Sequence, residues 1–197
     1  MAKNLLKLEY VNYLTQNKKT MKIELKNFKH YERLSEETNC FVGNIWVNGI
    51  KCGYAENTGK GGCTSYHNEG TEQSRLLLRE AEAYCLTLPP IVYKSSISGK
   101  NIEIKMNLEN FIDDLADKMI SDAYKRKDAL KMRKNMEKAI LIGNDKEYRT
   151  IGFKMPLKEV MEKHTDLFKK TLKEKLEKYS KDGYRLLNTN IPQHFLN

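Results

Sequence analysis

Cys63 and His67, four residues apart in Cys63-Thr64-Ser65-Tyr66-His67, are the pair best suited to nucleophilic chemistry. A cysteine nucleophile needs its thiolate held beside a proton acceptor, with a third polar group to orient that acceptor. Glu56, Asn57 and Glu69 are close enough in the chain to serve. None of the familiar local cysteine-protease signatures accompanies them. The preceding segment, Asn57-Thr58-Gly59-Lys60-Gly61-Gly62, concentrates three glycines and a lysine. Bare amides in such a loop can form a nest for an anion. The stricter phosphate loop, G-x-x-x-x-G-K-[ST], is absent, because Gly53 precedes Gly59 by one residue too many and Gly61 stands where the hydroxyl residue belongs. Turn formation is the competing use of these glycines.

Zinc is the second chemistry the same side chains suggest, since Cys40, Cys52, Cys63 and His67 fall within 28 residues. No C-x-x-C pair occurs. The hairpin predicted below sets Cys40 near Asn57 and roughly 16 Å from Cys52, whereas one zinc ion needs its ligands at about 2.0–2.3 Å. No metal is therefore expected, and Cys52 reads as a small core side chain. His164 falls on an apolar helical stripe, where a hydrogen-bonded core or boundary role is expected, and His30 and His194 lack companions. No H-E-x-x-H, G-x-S-x-G or EF-hand pattern occurs, and no cofactor is expected.

Nucleic-acid binding draws on three features together. The run Lys125, Arg126, Lys127, Lys131, Arg133, Lys134 and Lys138 could follow a phosphate backbone. Trp46, beside Lys51 and Asn44, could stack on a base or a partner, and Lys60 lies on a loop able to approach closely. Each has a plainer use. Glu109, Asp113, Asp114, Asp117 and Asp122 precede the basic run on the same predicted helix, an order that complements the helix dipole. A single Trp on a sheet face can also be covered by another element.

The elements that must hold these groups follow from periodicity. Ile23 and Leu25 alternate with Lys22, Glu24 and Lys26, which predicts a half-buried strand, with a bulge near Lys26 and Asn27 because Phe28 falls on the other parity. Asn48-Gly49 between 41–47 and 50–55 predicts a hairpin with a type I′ turn. A two-residue loop sets Val47 opposite Ile50, Ile45 opposite Cys52, Gly43 opposite Tyr54 and Phe41 opposite Glu56. The expected core face is Phe41, Ile45, Val47, Ile50, Cys52 and Tyr54, and the other face carries Val42, Asn44, Trp46, Lys51, Gly53 and Ala55. A loop over 57–70 leads to a helix capped by Thr71, with Leu77, Leu78, Ala81, Tyr84, Cys85 and Leu88 as its stripe and Pro89-Pro90 as its stop. Two strands follow over 91–93 and 101–106. A long helix from Asn107 buries Leu108, Phe111, Ile112, Leu115 and Met119, runs to about Leu141 and ends at Gly143. After a strand over 148–154, Pro156 opens a last long helix with Val160, His164, Phe168, Leu172 and Leu176 on one side, closed by Gly183. Residues 184–187 read as a final edge strand.

Composition bounds the whole. The chain has 197 residues, 40% hydrophobic and 31% charged, with 35 basic against 26 acidic side chains and a formal charge of +9. That length suits one core or one core plus an appendage. No run approaches the roughly 18 apolar residues of a membrane span, and no secretory signal is apparent, so a membrane partner is not expected. Reduced cysteines are the default in such a chain. Of the basic residues 28 are Lys and seven are Arg, and Lys serves solubility as well as phosphate binding. The expected fold is α+β: an antiparallel sheet with one helix over 21–106, a helical region with one or two short strands over 107–197, and an appended segment over 1–20 carrying the pattern Leu5, Leu6, Leu8, Val11, Leu14.

The hairpin–strand–helix order, with Phe41…Val47-Asn48-Gly49…Gly53…Gly59…Gly61 and Ala81…Cys85-Leu86, resembles a double-stranded RNA-binding domain. That family places a Lys cluster at the start of its last helix, where this chain reads His67-Asn68-Glu69-Gly70-Thr71-Glu72-Gln73. The segment Gly53-Tyr54-Ala55-Glu56-Asn57-x-Gly59-x-Gly61-Gly62-Cys63-Thr64, with Leu88-Pro89-Pro90, residues 107–111 and Leu187-Asn188-Thr189-Asn190, is similar to small uncharacterised proteins of bacteriophages and mobile elements of gut bacteria. That likeness covers most of 21–191 and implies an accessory phage product in a bacterial cytoplasm, without an activity to transfer. The expectation is a non-catalytic accessory protein that binds a host protein or nucleic acid, with counter-defence as one such role. Its expected binding residues are Trp46, Lys51, Asn57, Gly59, Lys60, Gly61, Gly62, Thr64, Tyr66 and His67, together with the basic run. Gly61→Asp or Lys60→Glu is expected to abolish binding with stability nearly intact. The alternatives are a nucleic-acid binder, or a cysteine or zinc enzyme using Cys63 and His67. No spacing sets an oligomeric state.

Overall fold

The computed structural model describes residues 20–95 and 99–196, and the amphipathic pattern expected near the amino terminus lies outside them. The chain divides into two units, with the boundary along the sequence between Ser121 and Asp122, inside a long helix. The architecture is α+β, with an antiparallel sheet in the first part of the chain and a largely helical second half.

In the first unit β1 (Ile23–His30), β2 (Phe41–Val47), β3 (Ile50–Asn57) and β4 (Ser65–Asn68) form an antiparallel sheet in that order. The β2–β3 turn takes positive φ at Asn48 (50°) and Gly49 (83°), as a type I′ turn requires. The Lys22 amide donates to the Asn48 side-chain oxygen at 3.1 Å, which ties the turn to β1. The bulge expected in β1 is present, with a register slip between Lys26 and Lys29 and Asn27 at φ 51°.

The hairpin register departs from expectation beyond its first two pairs. Val47 faces Ile50 and Trp46 faces Lys51, but Ile45 faces Gly53 instead of Cys52, and Phe41 faces Asn57 instead of Glu56. A second bulge absorbs Cys52, so Cys52 and Gly53 are both buried and every later side chain changes face. Tyr54, expected in the core, is 38% exposed, and Ile50 beside the turn is 40% exposed. Ala55, expected outside, is fully buried. The reason is local: the small Cys52 thiol fills core space and reaches the Ile45 carbonyl at 3.5 Å, which simple alternation does not encode. The flip also carries Asn57 inward.

Residues 65–68, expected in a loop, add β4 to the edge of β3. Helix α1 (Glu72–Cys85) follows, and its cap is as expected: the Thr71 hydroxyl accepts from the Ser74 amide at 3.1 Å. Leu78, Ala81 and Cys85 bury against the sheet core. Among the described residues, strands β5 (Ile91–Lys94) and β6 (Asn101–Ile104) pair only with each other, a separate hairpin instead of further strands of the main sheet. Helix α2 (Leu108–Met136) covers the core with Leu108, Ile112, Ala116 and Ile120, and Phe111, Leu115 and Met119 flank that stripe half-buried.

In the second unit the helix ends before residue 139, because Ala139-Ile140-Leu141-Ile142-Gly143 is a continuous apolar run that becomes the fully buried central strand β7 (Ala139–Gly143). Strands β8 (Tyr148–Gly152) and β9 (Arg185–Leu186) flank it. Asn188 extends that pairing with its side chain, accepting from the Leu141 amide at 2.6 Å and donating to the Ala139 carbonyl at 3.0 Å. The last long helix is two: α3 (Leu157–Lys163) and α4 (Thr165–Ser180), broken at His164, where φ is −132° and ψ 45°. His164 is therefore exposed at a helix junction, not part of an apolar stripe. Leu157, Val160, Phe168 and Leu172 form the core with β7, and Gly183 at φ 76° follows α4 as expected.

Candidate functional site

The glycine-rich loop is organised by one buried side chain. Asn57 ends β3 facing inward, 7% exposed, because the Cys52 bulge has turned it there. Its oxygen accepts from the Thr38 hydroxyl at 2.8 Å and the Gly59 amide at 2.9 Å. Its nitrogen donates to the Gly62 carbonyl at 3.1 Å and the Thr64 hydroxyl at 3.0 Å. The Thr64 hydroxyl in turn donates to Asp113 at 2.5 Å, and Thr38 accepts from the Gly61 amide at 3.3 Å. The Gly59 carbonyl receives the amides of Glu36, Glu37 and Thr38 at 2.9, 2.9 and 3.3 Å. Gly59 and Gly61 thus spend their amides inside the molecule, and the anion nest is not available at either. Gly61→Asp is also not the clean variant expected, since Gly61 has φ 79° and a Cβ there would strike the Glu37 carboxylate.

Beside this loop lies a groove of about 360 Å³, lined among others by Asn39, Gly61, Cys63, Glu109, Asp113 and Asp117. The three carboxylates stand on successive turns of α2, and Asn39 donates to Asp117 at 2.8 Å. Their charge makes the groove negative, opposite in sign to what a phosphate ligand needs. Burial, the largest cause, together with repulsion from Glu109, Asp117 and Asp114 pushes the Asp113 carboxyl above its usual range, against the lowering effect of the Thr64 hydrogen bond. Hydrogen bonding to Glu109, and then the charge of that carboxylate, raises the Cys63 thiol. A thiol held protonated by an acid is a poor nucleophile.

His67 stands on β4 with its ring 5.0 Å from that of Tyr54, on the sheet face away from the core. Cys40 and Cys52 are buried and Cys63 exposed, and no group of three or more His, Cys, Asp or Glu among the described residues is placed to hold a metal ion.

The expected binding residues fall into separate places. Asn57, Gly59 and Thr64 are internal struts. Tyr66 packs on the core, donates to Glu82 at 2.9 Å, and has its phenol pushed up to about 12, chiefly by burial. Gly61, Gly62 and Cys63 line the acidic groove, and Lys60 is exposed at the loop tip. Trp46 and Lys51 share the outer sheet face: Lys26 Nζ sits 4.0 Å over the Trp46 ring, and Lys51 pairs with Glu69 at 2.8 Å. The indole N–H of Trp46 is buried without a partner. Sequence reasoning does not single out the Glu109–Asp113–Asp117 wall, although its four-residue spacing is legible, because the same carboxylates also complement the helix dipole.

The basic run lies on the second half of α2 and just past it. All of Lys125, Arg126, Lys127, Lys131, Arg133, Lys134 and Lys138 are exposed, and none forms an ion pair with a described residue. Residues 121–131 are exposed at every position, so at about 100° per residue the cations encircle the helix instead of forming one face. Residues 122–197 hold nineteen basic and eleven acidic side chains and residues 1–121 hold sixteen and fifteen, which puts eight of the nine net positive charges in the second unit. No helix among the described residues is long and apolar enough to cross a membrane. No family model, curated protein or solved structure matches the chain.

Proposed function

We propose that the protein is a non-catalytic binder of nucleic acid and that its second unit carries the interface. The segregation of charge is the observation that supports this: a nearly neutral first unit precedes a unit with a net charge of +8, led by a fully exposed helical segment. Eleven residues of helix extend about 16 Å, a span over which a duplex presents several phosphates. Lysine dominates the surface, so the contact is to the sugar–phosphate backbone and has little base preference. Such a binder suits the accessory phage role that the sequence resemblance implies. Against an enzyme stand the raised Cys63 thiol and the separate setting of His67.

Titration of the full chain against fluorescent duplex DNA and duplex RNA over a range of salt tests the proposal. Affinity should fall with a log–log slope steeper than about −4, at about −0.9 per phosphate neutralised. The triple variant Lys125→Glu, Arg126→Glu, Lys127→Glu should bind at least about tenfold more weakly, with a slope shallower by up to about 2.7, the share of three phosphates at about 0.9 each. Lys60→Glu should bind as the wild type does. Absent or salt-insensitive binding, or full binding by the triple variant, rejects the proposal.

A further inference from the structure

The first unit has an open edge that no described strand covers. β4 is the last strand of its sheet, and α1, the next element in the chain, is tied to it by the hydrogen bond that the Tyr66 hydroxyl donates to Glu82. Between them lies a groove of about 460 Å³ lined by β4 and by Arg75, Leu78, Arg79 and Glu82, which stand at i, i+3, i+4 and i+7 on one stripe of α1. The Glu69 amide donates to the Cys52 carbonyl at 3.1 Å, one pair beyond Gly53–Asn68. Antiparallel pairs alternate, so residues 65 and 67 turn their peptide groups toward β3 while Tyr66 and Asn68 turn theirs outward. Two N–H donors and two carbonyl acceptors are therefore turned away from β3, along an edge that no described strand pairs with.

The wall opposite carries two arginines and one glutamate. The Arg75 guanidinium donates to the Gly70 carbonyl at 3.0 Å and lies 3.6 Å from Glu72. Arg79 has no ion pair or hydrogen bond with a described residue, although only seven arginines occur in the chain. Leu78, 6% exposed, forms the floor. Glu82 closes the far end, with one oxygen held by the Tyr66 hydroxyl. A strand edge supplies main-chain affinity and the facing helix supplies specificity, the division of labour in β-strand addition.

We propose that this groove binds an extended acidic segment of a partner protein, which adds a fifth strand at β4 and sets its carboxylates against Arg75 and Arg79. Four residues of β4 span roughly 13 Å, which matches a recognition segment of about four residues. The site lies in the first unit and is independent of nucleic-acid binding by the second.

Selection of random nonapeptides on the intact protein at low salt tests this. Bound peptides should be enriched in Asp and Glu, and a synthetic copy should lose at least about tenfold in affinity with Arg79→Glu. Asn68→Pro should cause a comparable loss, because proline removes an outward N–H while leaving the β3 ladder unbroken. Trp46 fluorescence and circular dichroism establish that both variants are folded. In the wild type, hydrogen exchange at Tyr66 and Asn68 should slow on peptide saturation, a readout that needs no variant. Failure to select any peptide, selection without acidic bias, unchanged exchange, or selected peptides that bind both variants as tightly as wild type would each overturn the proposal.

Discussion

Asp113 accepts a hydrogen bond from the Thr64 hydroxyl in a half-buried position, with Glu109 and Asp117 on neighbouring turns. Because its acidity is weaker in the folded protein than in the unfolded chain, the native state retains a proton that the unfolded chain releases. Ionisation therefore lowers stability as pH rises through the unfolded carboxylate value of about 3.9 toward the raised native one. Asp113→Asn removes that charge and keeps an oxygen for Thr64. Its melting temperature should exceed wild type by about 2 °C at neutral pH, and the gain should vanish near pH 3, where wild-type Asp113 is protonated. Calorimetry at the two pH values checks this, and a variant less stable at neutral pH would show that the carboxylate holds the loop more strongly than its burial opposes it. The Cys63 thiol, raised by Glu109, should react more slowly with a thiol reagent than an unperturbed cysteine and speed up in Glu109→Gln, which a reagent time course measures. None of this is visible from residue types alone: Cys63 and His67 invite pairing by spacing, but a strand sets the ring of His67 beside Tyr54 while a helix brings an acid to Cys63.

At the scale of elements, the glycine-rich loop is a brace between β3 and the segment before β2. Gly59 is buried with φ 83°, accepts three amides through its carbonyl, and has no room for a Cβ against the Leu34 carbonyl and Cys40. Gly59→Ala should lower stability by about 2 kcal/mol or more in urea unfolding, from left-handed strain and the displaced backbone. Gly62, with nothing near a built Cβ and no positive φ, should accept Ala with little change, so equal effects at the two glycines would contradict the brace. The Asn48-Gly49 turn, the Thr71 cap and the β1 bulge were legible because each is a local conformational requirement met by a particular residue. The Cys52 bulge, β4 and the break at His164 were not. Each depends on a neighbour: space beneath β3, an open edge for 65–68, and a change of direction between α3 and α4.

Across the whole molecule charge is divided more sharply than the total of +9 conveys. Self-repulsion within the second unit should weaken it at low ionic strength and be relieved by screening. Trp46, the only tryptophan, lies in the first unit and reports that unit by fluorescence, whereas far-UV circular dichroism sums both. Raising salt from about 20 mM to about 300 mM should move the dichroism midpoint upward by a few degrees and the Trp46 midpoint by much less. Coincident shifts would mean that the charge division has no energetic consequence. The residue order by itself determined the α+β class, the hairpin and its turn, the capped helix and the acidic-then-basic ordering along α2, since periodicity, capping and charge spacing act over a few residues. Tertiary structure alone decided that the glycine loop faces carboxylates, that the Gly59 and Gly61 amides are already used, and that the cations of α2 encircle an uncovered helix. Those outcomes depend on which surfaces meet, and a face is defined only once a bulge, a strand edge or an exposed turn has been packed or left open.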